Sequence, residues 1–185
     1  MFGIRAQLSL PAWIKTEVDA HAVYTGDDAK MALALHLAAT NVHEGSGGPF
    51  GAALFDETGR LLGVGVNRVL PDTCSIAHAE MMAFATAQQH SGRFRLNRDG
   101  GHITLATSAQ PCAMCYGASF WAGIDAILIG ARAEDVQALA GFDEGPLPAD
   151  WVGEWHKRGI RVTRDLRREQ ACAILAEYGK SGLVY

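Results

Sequence analysis

Apolar residues recur at helical spacing in several segments of the chain. Met31, Leu35, Ala38 and Val42 lie three or four positions apart after an acidic start at residues 27–28, which predicts a first core helix ending before Gly45. Similar patterns predict further helices over residues 77–90, 111–121, 133–140 and 167–178. The last of these is amphipathic, so one of its faces should pack against the core.

Short apolar runs bounded by turn residues predict five strands, at residues 50–55, 61–66, 103–106, 126–130 and 160–163. Five residues, which include Glu57, Thr58 and Gly59, separate the first two strands, which are therefore expected to form a hairpin. About thirty residues separate the last two, whereas an antiparallel hairpin needs only a few. The fifth strand is therefore expected to run parallel to the fourth through a crossover, in an α/β fold.

Length and composition indicate one domain. The chain has 185 residues, of which 49% are hydrophobic, so it can bury a sizeable core. Residues 1–26 show no sustained period and are assigned to an N-terminal extension, and residues 27–185 are assigned to the domain. Apolar runs fall short of the roughly 20 residues of a membrane span. Because the first residues also lack a secretory pattern, we expect a soluble, cytoplasmic protein with no membrane partner.

The charge balance argues against a nucleic-acid partner. The formal net charge is −4, which offers little attraction for a phosphate backbone. The densest basic group comprises Arg158, Arg161, Arg164, Arg167 and Arg168. Acidic and apolar residues are interspersed among them, so this group is interpreted as the solvated face of a strand and a helix.

A split motif carries the strongest chemical signal. His78 and Glu80 are followed about thirty residues later by Pro111, Cys112 and Cys115, in the His-x-Glu and Pro-Cys-x-x-Cys pattern of zinc deaminases. Proline is favoured at the first helical position, so both sulfurs should project from one face of a first helical turn. The exposed N–H groups and dipole of such a turn favour the thiolates that bind metal.

Two thiolates and one imidazole would give zinc three protein ligands and one open position, as in catalytic sites. Glu80 is the candidate group for holding and returning a proton of the attacking water. Alternative interpretations are a redox pair, or a structural site in which Cys74 supplies a fourth ligand. Cys172 lies in an apolar helical pattern and is interpreted as core packing.

Asn67 follows the second strand in a loop that must pass close to His78. A polar amide there predicts a substrate contact. An asparagine that shapes a turn by bonding its own backbone carries equal weight on the sequence alone.

From about residue 29 to its end, the chain resembles the cytidine-deaminase-like superfamily. The resemblance implies a three-layer α/β/α fold with a five-stranded mixed sheet, in which strands 4 and 5 are parallel. Several motifs further resemble bacterial guanine deaminases: Gly48-Pro49-Phe50-Gly51, Asn67-Arg68, the split zinc motif and Gly141-Phe142-Asp143-Glu144-Gly145. The last element is discriminating, because the zinc motif is shared among the branches.

The resemblance implies a homodimeric enzyme that converts guanine and water to xanthine and ammonia, with one zinc ion per subunit. Some members also accept the triazine ammeline. His78, Cys112 and Cys115 would bind zinc, and Glu80 would shuttle protons.

The same resemblance implies substrate contacts outside the zinc motif. Glu144 would be a second carboxylate at the departing amino group, Phe50 would stack on the base, and Asn67 would bond its edge. Asp143 and Tyr185 would also contact substrate. The alternative for the Asp143–Glu144 pair is an exposed turn before a proline.

The family also implies that a C-terminal segment closes over the site, here residues 182–185. Two features depart from its pattern. Ala109 and Gln110 stand where Cys or Ala and then Glu are usual, which puts a contact at that turn in doubt. The N-terminal extension has no counterpart in the shorter members.

Other functions remain open because pocket contacts, rather than the zinc motif, select the substrate. The chain could deaminate cytosine, ammeline or a guanine nucleoside. A tRNA adenosine deaminase fits the acidic balance less well. A non-catalytic zinc module would explain the metal ligands but not Glu80.

Overall fold

The computed structural model describes residues 7–184. The helices are α1 (Ile14–Glu17), α2 (Gly26–His43), α3 (Ala79–Ser91), α4 (Ala113–Ala122), α5 (Ala133–Ala140), α6 (Trp151–His156) and α7 (Arg168–Gly179). The strands are β1 (Gly51–Phe55), β2 (Leu61–Val66), β3 (Thr104–Ala109), β4 (Ala126–Ala131) and β5 (Arg161–Thr163).

The five strands form one mixed sheet in the order β2-β1-β3-β4-β5. Strand β1 pairs antiparallel with both β2 and β3. The β3–β4 and β4–β5 pairs are parallel. The predicted α/β class and the parallel fifth strand are therefore confirmed.

Alternate side chains of the central strands bury against opposite helical layers. On β1, Ala53 and Phe55 join a core with residues of α2, α5 and α7. Ala52 and Leu54 join a second core with residues of α3, α4 and α6. Because a strand sends successive side chains to opposite faces, both faces of the sheet are covered. The expected three-layer α/β/α fold is observed.

The segment before α2 packs against the α2 side of the core, although it shows no period in the sequence. Its contributors include Leu10, Trp13, Ile14 and Val18. A single β-bridge joins Val23 to Arg60 beside the hairpin.

The sequence predicted neither α1 nor α6. No helix within residues 7–184 is long and apolar enough to cross a lipid bilayer.

Candidate active site

His78 and Glu80 lie at the start of α3, which packs closely on β2. His78 is the N-cap residue, with an extended backbone, and Glu80 lies in the first turn. A Cβ at Gly65 would lie 2.0 Å from the carbonyl oxygen of Ala79, so only glycine allows this approach. The packing leaves Glu80 only 6% exposed. The predicted helix start at residue 77 is two residues early.

The two cysteines lie at the start of α4. Cys112 is the N-cap residue, since its carbonyl oxygen accepts the first helical hydrogen bond, from Tyr116 N at 2.8 Å. The helix begins at Ala113, and Cys115 follows in its first turn. The expectation that Pro111 occupies the first helical position was therefore wrong, because Cys112 has an extended backbone and makes the cap.

The structure brings the three predicted metal ligands together. The donor atoms of His78, Cys112 and Cys115 all lie within 4.8 Å of one another. The distance from Cys112 Sγ to His78 Nδ1 is 3.5 Å. Cys74, considered as a fourth ligand, lies outside the only such group among residues 7–184. Its backbone N–H instead bonds the carbonyl oxygen of Val69 in a loop.

The electrostatics of this group fit a divalent cation. A hydrogen bond from the Cys115 thiol, together with His78, lowers the pKa of Cys112 to about 4. The same hydrogen bond raises the pKa of Cys115, so the two sulfurs share one proton. Burial opposes the charge of His78, but the bond to Cys112 and the charge of Glu80 leave its pKa raised. A zinc ion would replace these protons and take two thiolates and a neutral imidazole, a donor set that suits it.

Glu80 is a buried carboxyl beside the metal group. Its pKa is raised, chiefly by burial and then by the negative charge of Cys112. The hydroxyl of Thr107 lies 3.2 Å from Glu80 Oε1 and 3.1 Å from the carbonyl oxygen of Ala109. A carboxyl held in this way, with a raised pKa, is suited to accepting and returning a proton.

A cavity of about 360 Å³ opens beside Glu80 and the metal group. Its lining includes Phe50, Asn67, Gln110 and Glu144. The ring of Phe50 meets that of Phe142 edge to face, with centroids 5.3 Å apart. The cavity is thus apolar at one wall and polar near the metal group, as expected for a small, flat molecule with polar edges.

Asn67 lines the cavity and is 1% exposed. Its Oδ1 accepts a hydrogen bond from Val69 N at 3.2 Å, so the carboxamide shapes the turn, as one of the two interpretations predicted. Its Nδ2 has no protein partner within residues 7–184, which leaves two donor hydrogens for a ligand.

The segment after α5 brings a second carboxyl to the cavity. The carbonyl oxygen of Glu144 accepts a hydrogen bond from Ala113 N at 2.9 Å, which joins this segment to the start of α4. Burial, followed by the negative charge of Glu80, raises the pKa of Glu144 to about 8. Asp143 also lines the cavity but is exposed, and its Oδ1 accepts a bond from Gly145 N at 2.8 Å. The structure therefore contains both the predicted turn and the carboxyl beside the cavity.

Seven lining residues were not among the predicted site residues: Val69, Ser75, Ala79, Gln110, Gly141, Phe142 and Val184. Gln110 is 6% exposed, and its side-chain amide makes no hydrogen bond within residues 7–184. Its position next to the Pro-Cys motif was the only signal available in the sequence. Val184 lines the cavity from the C-terminal tail, within 3.2 Å of the point where a Cβ on Gly141 would lie. Tyr185, a predicted substrate contact, lies outside the described residues.

Comparisons with known proteins identify the class. Residues 25–131 match the family of the cytidine and deoxycytidylate deaminase zinc-binding region. The chain is 38% identical to the guanine deaminase of Bacillus subtilis (strain 168) over 111 residues, which are 60% of this chain and 67% of that protein.

Solved structures resemble nearly the whole chain. A structure of guanine deaminase from Nitrosomonas europaea has a TM-score of 0.91 at 40% identity, and the match covers 97% of this chain and 99% of that one. A structure of the protein NE0047 with bound 2,6-diaminopurine has a TM-score of 0.92 at 41% identity, and the match covers 98% and 96% of the two chains.

The chain therefore belongs to the cytidine and deoxycytidylate deaminase family, and it is a zinc-dependent hydrolase. Within that family, its sequence and fold are similar to those of bacterial guanine deaminases. The predicted resemblance, enzyme class and cofactor are thus confirmed.

Proposed function

We propose that this chain hydrolyses guanine to xanthine and ammonia, as in purine catabolism. The observation that carries the proposal is the second carboxyl, the partly buried Glu144, beside Glu80 and the metal group in a cavity of about 360 Å³. Guanine presents N–H groups next to the carbon that loses its amine, and a buried carboxyl can accept a hydrogen bond from them. The similarity to guanine deaminases over nearly the whole chain supports this substrate.

We assign metal binding to His78, Cys112 and Cys115, and proton transfer to Glu80. When bound, zinc supplies a Lewis acid that makes water a stronger acid. Glu80 takes the proton of the water that adds to C2 of guanine and passes it to the adjacent ring nitrogen. The remaining proton, on the new C2 hydroxyl, is then transferred to the exocyclic amine, so that the C–N bond breaks and ammonia leaves as the C2 carbonyl of xanthine forms.

We assign substrate orientation to residues around the cavity wall. Glu144 accepts hydrogen bonds from guanine N–H groups. Each of these groups, if buried without a partner, would reduce the binding free energy by roughly 1 to 3 kcal/mol. Phe50 stacks on the base, and the Nδ2 of Asn67 donates to an edge acceptor. Asp143 contacts the base from the mouth of the cavity.

We further propose that residues 182–185, including Tyr185, cap the site of their own subunit. The position of Val184 against Gly141 at the cavity supports this assignment. The deaminase domain would then extend from residue 27 to the C-terminal tail, and the N-terminal extension would comprise residues 1–26.

The test is ammonia release from guanine, cytosine, ammeline, guanosine and adenosine. We expect xanthine from guanine. Glu80→Gln should retain zinc but lower kcat by about 10² to 10⁴. If guanine is unchanged while another amine reacts, guanine is the wrong substrate and the deaminase class remains. Unaltered turnover in the Glu80→Gln variant would contradict the role of Glu80.

We propose that the enzyme is a cytoplasmic homodimer. A row of residues at helical spacing on α4 supports a protein contact: Met114, Gly117, Ala118 and Trp121. Trp121 is 78% exposed, an unusual position for a large aromatic side chain. Light scattering should give twice the subunit mass for the unsubstituted protein and the subunit mass for Trp121→Glu. Val23→Glu, at a different exposed apolar residue, should remain a dimer.

A further inference from the structure

Hydrogen bonds that are part-buried at Trp13 and buried at Asn41 join the segment before α2 to the wall of the cavity. Trp13 Nε1 donates to Ser46 Oγ at 2.9 Å, and Ser46 Oγ donates to Asn41 Oδ1 at 2.7 Å. The Nδ2 of Asn41 then donates to the carbonyl oxygens of Gly48, at 2.8 Å, and Asn67, at 2.9 Å. A continuous chain of hydrogen bonds therefore runs from Trp13 to Asn67.

In this series of hydrogen bonds, the available donors and acceptors determine which group donates and which accepts. Asn41 is 0% exposed, and its carboxamide bonds through its oxygen and both of its donor hydrogens. A flipped amide would place an oxygen against two carbonyl oxygens, leaving buried groups unpaired. The backbones of Gly47 and Asn67 also pack closely, because a Cβ at Gly47 would lie 1.9 Å from the carbonyl oxygen of Asn67. Asn67 therefore has little freedom to move while the chain of bonds is intact.

A second connection reaches the same loop. The guanidinium of Arg68, the residue after Asn67, donates to the carbonyl oxygen of Ser46 and pairs with Asp72 at 3.1 Å. The other carboxylate oxygen of Asp72 accepts a bond from Ser9 N at 3.1 Å. The N-terminal segment is thus linked to the loop that carries Asn67 at two points, directly from Ser9 and through Ser46 and Asn41 from Trp13.

The same bonds reach the aromatic wall of the cavity. Phe50 N donates to the carbonyl oxygen of Gly48 at 2.9 Å, and Asn67 N donates to the carbonyl oxygen of Phe50 at 3.1 Å. Asn41 therefore bonds two carbonyl groups next to this wall: that of Gly48, which also accepts the bond from Phe50 N, and that of Asn67 itself. A displacement of Asn41 would move both cavity residues.

We infer that Trp13 and Asn41 are positioning residues for substrate recognition, acting through Asn67 and Phe50. The N-terminal segment is then part of the substrate-binding apparatus rather than an accessory to the deaminase domain. The inference rests on the proposed function only for the identity of the base, since the bonds set the wall of the cavity whichever amine occupies it.

The first test is Trp13→Phe, which keeps an aromatic ring and removes the N–H donor. Because Asn67 contributes binding rather than chemistry, KM should rise about threefold to tenfold while kcat stays within about twofold. Ser46→Ala should have the same effect, and Ser46→Thr, which keeps a hydroxyl, should restore KM. Zinc content should be the same in all variants.

A matched control lies in the same segment. The Thr16 hydroxyl donates to the carbonyl oxygen of Trp13 at 2.9 Å but is exposed and makes no contact with the cavity wall. Thr16→Val should therefore leave KM unchanged. Combining Trp13→Phe with Asn67→Ala should raise KM by less than the product of the two single effects, since Trp13 acts through Asn67.

An unchanged KM in Trp13→Phe, full additivity with Asn67→Ala, or an equal effect of Thr16→Val would each overturn the inference. Guanine that is not hydrolysed by the unsubstituted enzyme counts instead against the proposed function. The variants would then be compared on whichever amine of the panel reacts. If none reacts, they would be compared by calorimetric binding of 2,6-diaminopurine, in which Trp13→Phe should raise the dissociation constant.

Discussion

The hydroxyl of Thr107 bridges the carboxyl of Glu80 and the carbonyl oxygen of Ala109, at 3.2 Å and 3.1 Å. Thr107 is 2% exposed and Glu80 is 6% exposed, so this contact is shielded from bulk solvent. Strand β3 thereby holds one oxygen of the carboxyl in the first turn of α3, at the wall of the cavity.

We predict that Thr107→Val lowers kcat about tenfold and leaves KM within about twofold. The substitution conserves shape but removes the hydroxyl, so the carboxyl of Glu80 loses a hydrogen bond that fixes its orientation. Thr107→Ser should recover most of the rate. Steady-state kinetics at matched zinc content are the measurement, and a Ser variant as slow as the Val variant would contradict the prediction.

A second prediction concerns pH and the metal-free protein. The folded-state pKa of Glu144 is about 8, above its usual 4.5, because the side chain has lost part of its solvation and lies beside the negative charge of Glu80. The folded state therefore keeps a proton that the unfolded state releases, and stability falls as pH rises from about 4.5 to 8. Glu144→Gln cannot lose that proton. Its Tm relative to the unsubstituted protein should rise across this window after chelation, and a constant difference would contradict the pKa shift.

The elements that position the site were largely predictable from the sequence, because metal ligands need short, fixed spacings and long helices and strands repeat their apolar residues. Within each half of the split motif, His78 with Glu80 and Cys112 with Cys115 satisfied the first condition, and the sheet satisfied the second. Helices α1 and α6 satisfied neither. Trp155 of α6 is fully buried and stacks on Tyr116, but six residues are too few to establish a period.

The orientation of polar side chains was not predictable, because it depends on partners distant in sequence. The carbonyl oxygen of Asn67 accepts a hydrogen bond from Asn41, which lies 26 positions earlier in the sequence. The hydroxyl of Thr107 contacts the carboxyl of Glu80, 27 positions earlier. The sequence could place these residues near strand ends but not choose between a turn and a ligand contact. The same reason explains why the N-terminal segment had no predicted role.

A third prediction concerns the joint between α5 and α7. Both carboxylate oxygens of Asp135 bond Arg168, at 2.7 Å each, and one also accepts the backbone N–H of Arg132 at 2.9 Å. Asp135→Asn should lower the free energy of unfolding at neutral pH by about 1 to 2 kcal/mol. Glu134→Gln is the control, because Glu134 is largely exposed and its bond to Arg132 is long, at 3.4 Å.

The loss of stability caused by Asp135→Asn should depend on pH. The hydrogen bond from Arg168 lowers the pKa of Asp135 from 3.8 to about 2, so its stabilising charge is fully present above about pH 4. Between pH 4 and 2 the folded state takes up the proton, and the difference between the two proteins should shrink. Urea unfolding at several pH values is the measurement, and a difference that grows in acid would contradict the ion pair.

The last prediction tests the contact between α3 and β2. A Cβ at Gly65 would lie 2.0 Å from the carbonyl oxygen of Ala79, one residue before Glu80, so Gly65→Ala must displace the start of α3. We expect a loss of about 1 to 3 kcal/mol in the free energy of unfolding and at least a tenfold fall in kcat, because displacing a catalytic group by about 1 Å is costly.

Gly63→Ala is the matched control for this contact. Its Cβ would lie 2.7 Å from Ala87 N, on the same helix but further along from Glu80. It should destabilise the protein to a similar degree with a smaller fall in kcat at a temperature where both variants are folded. Equal losses of rate in the two variants would show that overall destabilisation, rather than the position of Glu80, limits turnover.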